Sequence, residues 1–480
     1  MPLLPVLVSA GLLATGSPSC RSPVPDEHVY TGHRAAPPLS TTTTGGSTSV
    51  PFGGSGGRDA SGSKPGTGAG GSSGGSFSGE GGESPSVGTG GAPVSEAGAP
   101  GVAGEGGASD GPDPPPLVFS KSALLAAAGD CALAELRAFL GLAEALREQA
   151  REYARARTTE NTAAVRARFR QVMAAWQVLE VRRFGPAARK SEDPIGGQDL
   201  RDQVYAWPLG GRCNIETQLV SKGYAESTFA TQLINVRGLG TLEYLLFNDE
   251  PVNGCPSYSA LNAQGAWAAL GLEEIRSRKA GYAEAVAEDV LTHARGLVNA
   301  WEQGKFREQL SAAGSASSRY PSQQAALNAV SNALFYVEVE VKDKKLALPL
   351  GISPECTSGL CPESLESQYA GLSTENIRHN LVGFQGLFWG CGAHASGLGF
   401  DDWLREVGAS DLEERMRFAF AGAQSAFDEL EPPLEQALVS RPEAARAAYA
   451  SLKVLTDLLK TEFVGALQLE LPTGSETDND

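Results

Sequence analysis

Arg237-Gly-Leu-Gly-Thr-Leu-Glu-Tyr-Leu-Leu-Phe-Asn248 places a single acid, Glu243, inside an otherwise apolar helical run. Two glycines, Gly238 and Gly240, stand about a turn ahead of it. A carboxylate buried without a partner costs several kcal/mol or is forced to take up a proton. Glu243 is therefore expected to meet an arginine, a hydrogen-bond donor or a metal ion. The arginines at hand are Arg182, Arg183 and Arg237.

Working outward, the chain reads as helix after helix. From Ser120 to about Arg157, Leu124, Leu125, Ala128, Leu136, Phe139 and Leu146 recur at three- and four-residue spacing. Thr162 to Phe184 repeats the pattern with Val165, Phe169, Val172 and Trp176, and Gly185-Pro186 ends it. Helical patterns follow at Glu216–Lys222, Phe229–Phe247, Gln264–Gln303 (with Gly271 or Gly281 as a break), Ser322–Lys342, Thr374–Phe388, Leu412–Leu430 and Arg441–Phe463. Lys342 to Cys361 reads as a polar loop. Phe335 to Val341 alternates like a strand, but it adjoins a helical pattern without a turn and is read as helix. The expected fold is all-α, with two stacked helical bundles.

Composition bounds the rest. The chain has 480 residues and a net charge of −17, which argues against nucleic acid and against electrostatic adhesion to anionic lipid. Residues 1–19 are short, apolar and end in small residues before Cys20, the pattern of a lipoprotein signal peptide with Cys20 lipidated. Ordinary secretion with Cys20 incidental is the alternative. Residues 20–116 are a Gly/Ser/Pro-rich linker that cannot bury enough apolar surface to order itself. The helical remainder divides into 117–314 and 315–480. Besides Cys20 there are six cysteines, an even number that reads as disulfides in an exported chain. Cys356–Cys361 is the expected short loop, and Cys213 with Cys255 brackets the Glu243 helix.

The Glu243 run resembles the signature of the imelysin family, Gly-x-His-x-x-Glu followed by an aromatic–aliphatic helix. Trp176 with Arg182-Arg183-Phe184-Gly185-Pro186, then Ala206-Trp207-Pro208-Leu209, Asn214-Ile215-Glu216, Asn376 to Gly383 and Leu387-Phe388-Trp389-Gly390 resemble further family elements in family order. The resemblance implies a cell-envelope protein, related to iron uptake, in the periplasm or on the outer membrane. It also implies a metal, iron or zinc, held by the motif His and Glu, which share one helix face at i and i+3. Here the histidine position is Gly240. Half of that pair is missing, so the metal could equally be absent.

The candidate metal ligands are Glu243 and, in a rearranged site, His379. His293 and His394 are the other imidazoles of the helical region. Candidate groove or motif residues are Trp176, Arg183, Trp207, Gly238, Gly240 and Asn380. Trp389 and Trp403 could line a pocket or simply fill the core. The expected function is non-enzymatic binding of a ligand or metal between the bundles by a lipid-anchored envelope protein. A metallopeptidase of the imelysin type is the first alternative and a structural or protein-binding surface module the second. Expected partners are the membrane through the anchor, a small ligand, metal ion or peptide, and an envelope protein, with no nucleic acid.

Overall fold

The structure, a computed structural model, describes residues 118–472 apart from 209–210 and 393–394, and also Ser475. The segments read as signal peptide and linker, with Cys20, and also His394, lie outside the described residues. The described part belongs to one compact unit.

Helix α1 spans Lys121–Arg155 and α2 spans Thr159–Glu180. Each starts where the sequence supplies a cap: the hydroxyl of Ser120 accepts from Ala123 N at 3.1 Å, and that of Thr158 from Asn161 N at 3.2 Å. Then come α3 (Cys213–Ser221), α4 (Gly238–Phe247), α5 (Ala260–Ala263), α6 (Leu272–Glu302), α7 (Phe306–Ser311) and α8 (Gln323–Asn332). A π-helix, Val337–Ala347, leads toward α9 (Ser373–Phe388), α10 (Phe400–Glu406), α11 (Ser410–Asp428), α12 (Leu434–Ser440), α13 (Pro442–Leu458) and α14 (Val464–Leu467). No strand occurs among the described residues. In the first bundle α1 packs along α2 and α6, and α4 lies on α6. In the second, α11 packs on α13, and α13 on the π-helix. The two stack through α2 against α9.

That stacking is close because Gly383 of α9 faces α2. A Cβ there would lie 2.5 Å from the Val178 carbonyl oxygen, well inside van der Waals contact. Trp176, Trp389 and Trp403 are buried in the core, and Trp207 is half-buried.

Three boundaries differ from the sequence reading. The run Phe229–Phe247 is α-helical only from Gly238, preceded by single 3-10 turns at Phe229–Thr231 and Ile234–Val236. Arg237 is extended and Gly238 has φ +76°, which cannot continue a helix from the N-terminal side. A Cβ on Gly238 would also sit 2.7 Å from the Val204 carbonyl oxygen. Gly238→Ala is therefore expected to cost about 2 kcal/mol in urea unfolding, from strain and contact together. An unchanged midpoint would show that this turn can relax. Second, the helix read from Gln264 begins only at Leu272, after Gly271, and Gly281 is accommodated within it. Third, the segment read as a polar loop after Lys342 stays helical to Ala347. Lys342 and Lys345 look like solvated residues in sequence, yet both are buried against acids of other turns.

Disulfides Cys356–Cys361 and Cys213–Cys255 are both formed. A third, Cys131–Cys391, ties α1 to the segment after α9 with a Cα–Cα distance of 5.9 Å.

Candidate functional site at the bundle interface

Glu243 lies on the buried side of α4, where the first bundle meets the turn that leads into α9. Its Oε1 accepts from the backbone N–H groups of Tyr369 and Ala370, each at 3.0 Å. The Ser367 side chain also hydrogen-bonds to it. Burial pushes the carboxyl up to about 7. The two amides and Ser367 pull the other way, and the neighbouring Glu366 charge adds to the rise. The partners of Glu243 are thus backbone donors, not an arginine. Arg182 instead joins α1 to α9 through Glu135 at 2.8 Å and the Gly383 carbonyl at 2.6 Å. Arg183 pairs with Glu192 and Glu340, and Arg237 with Asp289 and Gln203.

A buried polar network continues from that turn. Glu366 Oε1 accepts from Tyr205 OH at 2.8 Å and Gln177 Nε2 at 3.1 Å, and its Oε2 from Asn376 Nδ2 at 3.0 Å. The Lys345 ammonium lies 2.9 Å from Glu366 Oε2. Asn380, fully buried on α9, donates to the Gln177 carbonyl at 2.8 Å. Glu180 at the end of α2 is held by Arg201, whose Nε lies 2.7 Å away. Glu216 accepts from Tyr244 OH at 2.7 Å and from Gly254 N, so the acid of the Asn214-Ile215-Glu216 element braces the loop after α4.

Beside this network the bundles leave a cleft of about 670 Å³. One wall runs from Arg183 to Ile195, the other follows α8 and the π-helix, and Glu470–Pro472 cross one end. Ala325, Ala329, Phe335 and Leu471 supply an apolar lining, while Arg189, Glu192 and Lys344 supply charge. The Arg183 guanidinium sits 5.5 Å from the Tyr336 ring and 3.1 Å from Glu340, so these three residues separate the cleft from the inner network. Burial acts to raise the Glu340 carboxyl, but Arg183, Lys344 and Arg201 outweigh it and hold it at about 2. This cleft has the size of a small-molecule site.

The other expected residues fall apart spatially. His379 is half-buried on α9, its Nδ1 facing the Glu375 carbonyl at 2.7 Å. Among the described residues no hydrogen bond or ion pair links it to Glu243. His293 is half-buried on α6 with its Nε2 2.9 Å from Arg237. Gly240 is buried on α4 and contributes no donor atom. Among the described residues the one cluster of metal-type donors is Cys131, Glu135 and Cys391, and its two sulfurs are joined in a disulfide. Iron or zinc therefore does not fit the Glu243 position: a stable site needs three or four donors, and among the described residues no set of three His, Cys, Asp or Glu ligand atoms includes Glu243, whose Oε1 is already bonded to two amides.

Sequence reasoning missed Glu180, Arg201, Lys345 and Glu366. The signal for Glu180 was present, since Gln177-Val-Leu-Glu-Val181 is also an acid inside an apolar run. The others stand in locally polar segments and carry no such mark.

The imelysin family model (peptidase M75) matches residues 132–461. No curated protein matches the chain. Among solved structures, a protein from Parabacteroides distasonis designated an iron-regulated protein A precursor is similar at 16% identity and TM-score 0.55, covering 72% of this chain and 94% of that one. An imelysin-like protein from Psychrobacter arcticum is similar at 14% identity and TM-score 0.54, covering 74% and 98%. Those two likenesses concern the fold, and the family match spans most of the chain: it belongs to the imelysin family.

Proposed function

We propose that this chain is a non-enzymatic cell-envelope binding protein that takes a small polar ligand in the cleft between its bundles, in the setting of iron uptake. The cleft carries this reading: it is wide enough for a small molecule, apolar along its walls and charged at Arg183, Arg189, Glu192 and Lys344. Three disulfides support an oxidising compartment. The apolar leader and Cys20 support a lipid anchor. The neighbour's designation as iron-regulated supports the setting.

The metallopeptidase reading needs a metal-bound water, and a catalytic site of that kind takes three protein ligands. The donors around Glu243 do not supply them. Protein purified from cells supplied with iron and zinc is expected to carry far less than one metal per chain and to cleave no unstructured peptide with either metal added. Native mass spectrometry is expected to show a bound small molecule that is lost in Ala325→Trp, which narrows the cleft. One metal per chain, lost in Glu243→Gln and accompanied by metal-dependent cleavage, would restore the peptidase reading and end this one.

A further inference from the structure

The Lys345 ammonium is enclosed by three oxygen acceptors drawn from three separate segments. Glu366 Oε2 lies at 2.9 Å, Gln177 Oε1 at 2.8 Å and Asn380 Oδ1 at 2.8 Å. The ammonium donates to the two amide oxygens and faces the carboxylate as its ion-pair partner. Lys345 and Glu366 are each only 1% exposed, so this exchange happens out of water. The Tyr336 ring lies 5.3 Å from the ammonium. One carboxylate and two amide carbonyls form an all-oxygen set of acceptors, spaced for the N–H donors of an ammonium.

We infer that this cradle is an interbundle cation site that the chain fills with its own side chain. Gln177 belongs to α2 of the first bundle, Asn380 to α9 of the second, and Glu366 to the turn that also bonds Glu243. The cation therefore sits on the seam between the bundles. With Lys345 in place the seam needs no ion from solution. Without its ammonium, the cradle is an open site for an ammonium-class cation, and Glu366 is a buried charge with no counter-ion.

The site stands apart from the ligand cleft, and its test does not depend on what the cleft binds. Two variants of the full protein are compared with wild type by thermal unfolding. Lys345→Met keeps the stem and removes the charge, and its melting temperature is expected to fall by several degrees. Lys345→Ala, purified with propylammonium chloride present, is expected to regain melting temperature along a saturable propylammonium curve. Sodium chloride at equal ionic strength should give no such curve, and wild type should respond to neither salt. A Lys345→Met protein as stable as wild type would overturn the inference. So would a Lys345→Ala protein that propylammonium and sodium affect alike. Failure of Lys345→Ala to fold leaves the Lys345→Met comparison to decide.

Discussion

Cys131→Ser with Cys391→Ser is expected to lower the stability of the protein by about 5 kcal/mol, the largest effect of any change considered for this chain. The bond joins residues 260 apart and closes a loop over most of the folded part. In the chain-entropy account a cross-link destabilises the unfolded ensemble, and the effect grows with the logarithm of loop size. Cys356–Cys361 spans only five residues, so opening it by the same substitution should cost about 2 kcal/mol. Urea unfolding of the two double variants checks the order. If the short loop proves the costlier to open, loop entropy does not govern these bridges. The long bridge lies beside the Arg182–Glu135 pair, so a direct packing effect would enlarge the difference further.

Glu243→Gln is expected to remove a pH dependence worth about 3 kcal/mol. The folded-state value is about 7 against an ordinary 4.5, so the folded chain binds this proton more tightly than the unfolded chain does. The sign follows: the contribution is fully present below pH 4.5 and is lost as pH rises through 7. Glutamine keeps an oxygen to accept from Tyr369 and Ala370 and carries no charge to desolvate. Wild type and variant should unfold at similar urea concentrations at pH 5. At pH 8 the variant should be the more stable. Other titrating groups cancel in the difference between the two proteins. A difference that stays level from pH 4.5 to 8 would show that Glu243 is no more basic than an ordinary carboxylate.

The fold was largely legible and the site was not, for one physical reason. Helix α1 announces itself through neighbours: Leu124, Ala128, Leu136 and Phe139 lie on one face, and Ser120 caps the start. All the information lies within a few turns. Lys345 has no such local context. In Lys342-Asp-Lys-Lys it looks like a solvated residue, and its partners are Gln177, 168 residues before it, Asn380, 35 after it, and Glu366 in the turn between. Glu243 was legible as an acid requiring a partner. That the partner would be the backbone of Tyr369 and Ala370, 126 and 127 residues on, was not. A backbone amide has no side-chain identity to read. Val337-Glu-Val-Glu-Val341 alternates like a strand, yet the helical pattern beside it identified it as helix, and it winds as one; what could not be read was the burial of Glu338 and Glu340 against Lys460 and Arg183.

The bridge between Cys131 and Cys391 also alters what proteolysis can do to this protein. A protease that cuts the backbone once anywhere between those two residues makes two pieces that remain covalently joined. The Cys213–Cys255 and Cys356–Cys361 bridges lie inside the same ring and tether their own loops to it. A nicked molecule thus stays one covalent species, heavier only by the water that hydrolysis adds, and the packing of α2 on α9 still joins the bundles. Damage of this kind is silent until the bridge is reduced, when the fragments separate. The ring makes the survival of the assembled bundles a question of redox poise rather than of an unbroken main chain.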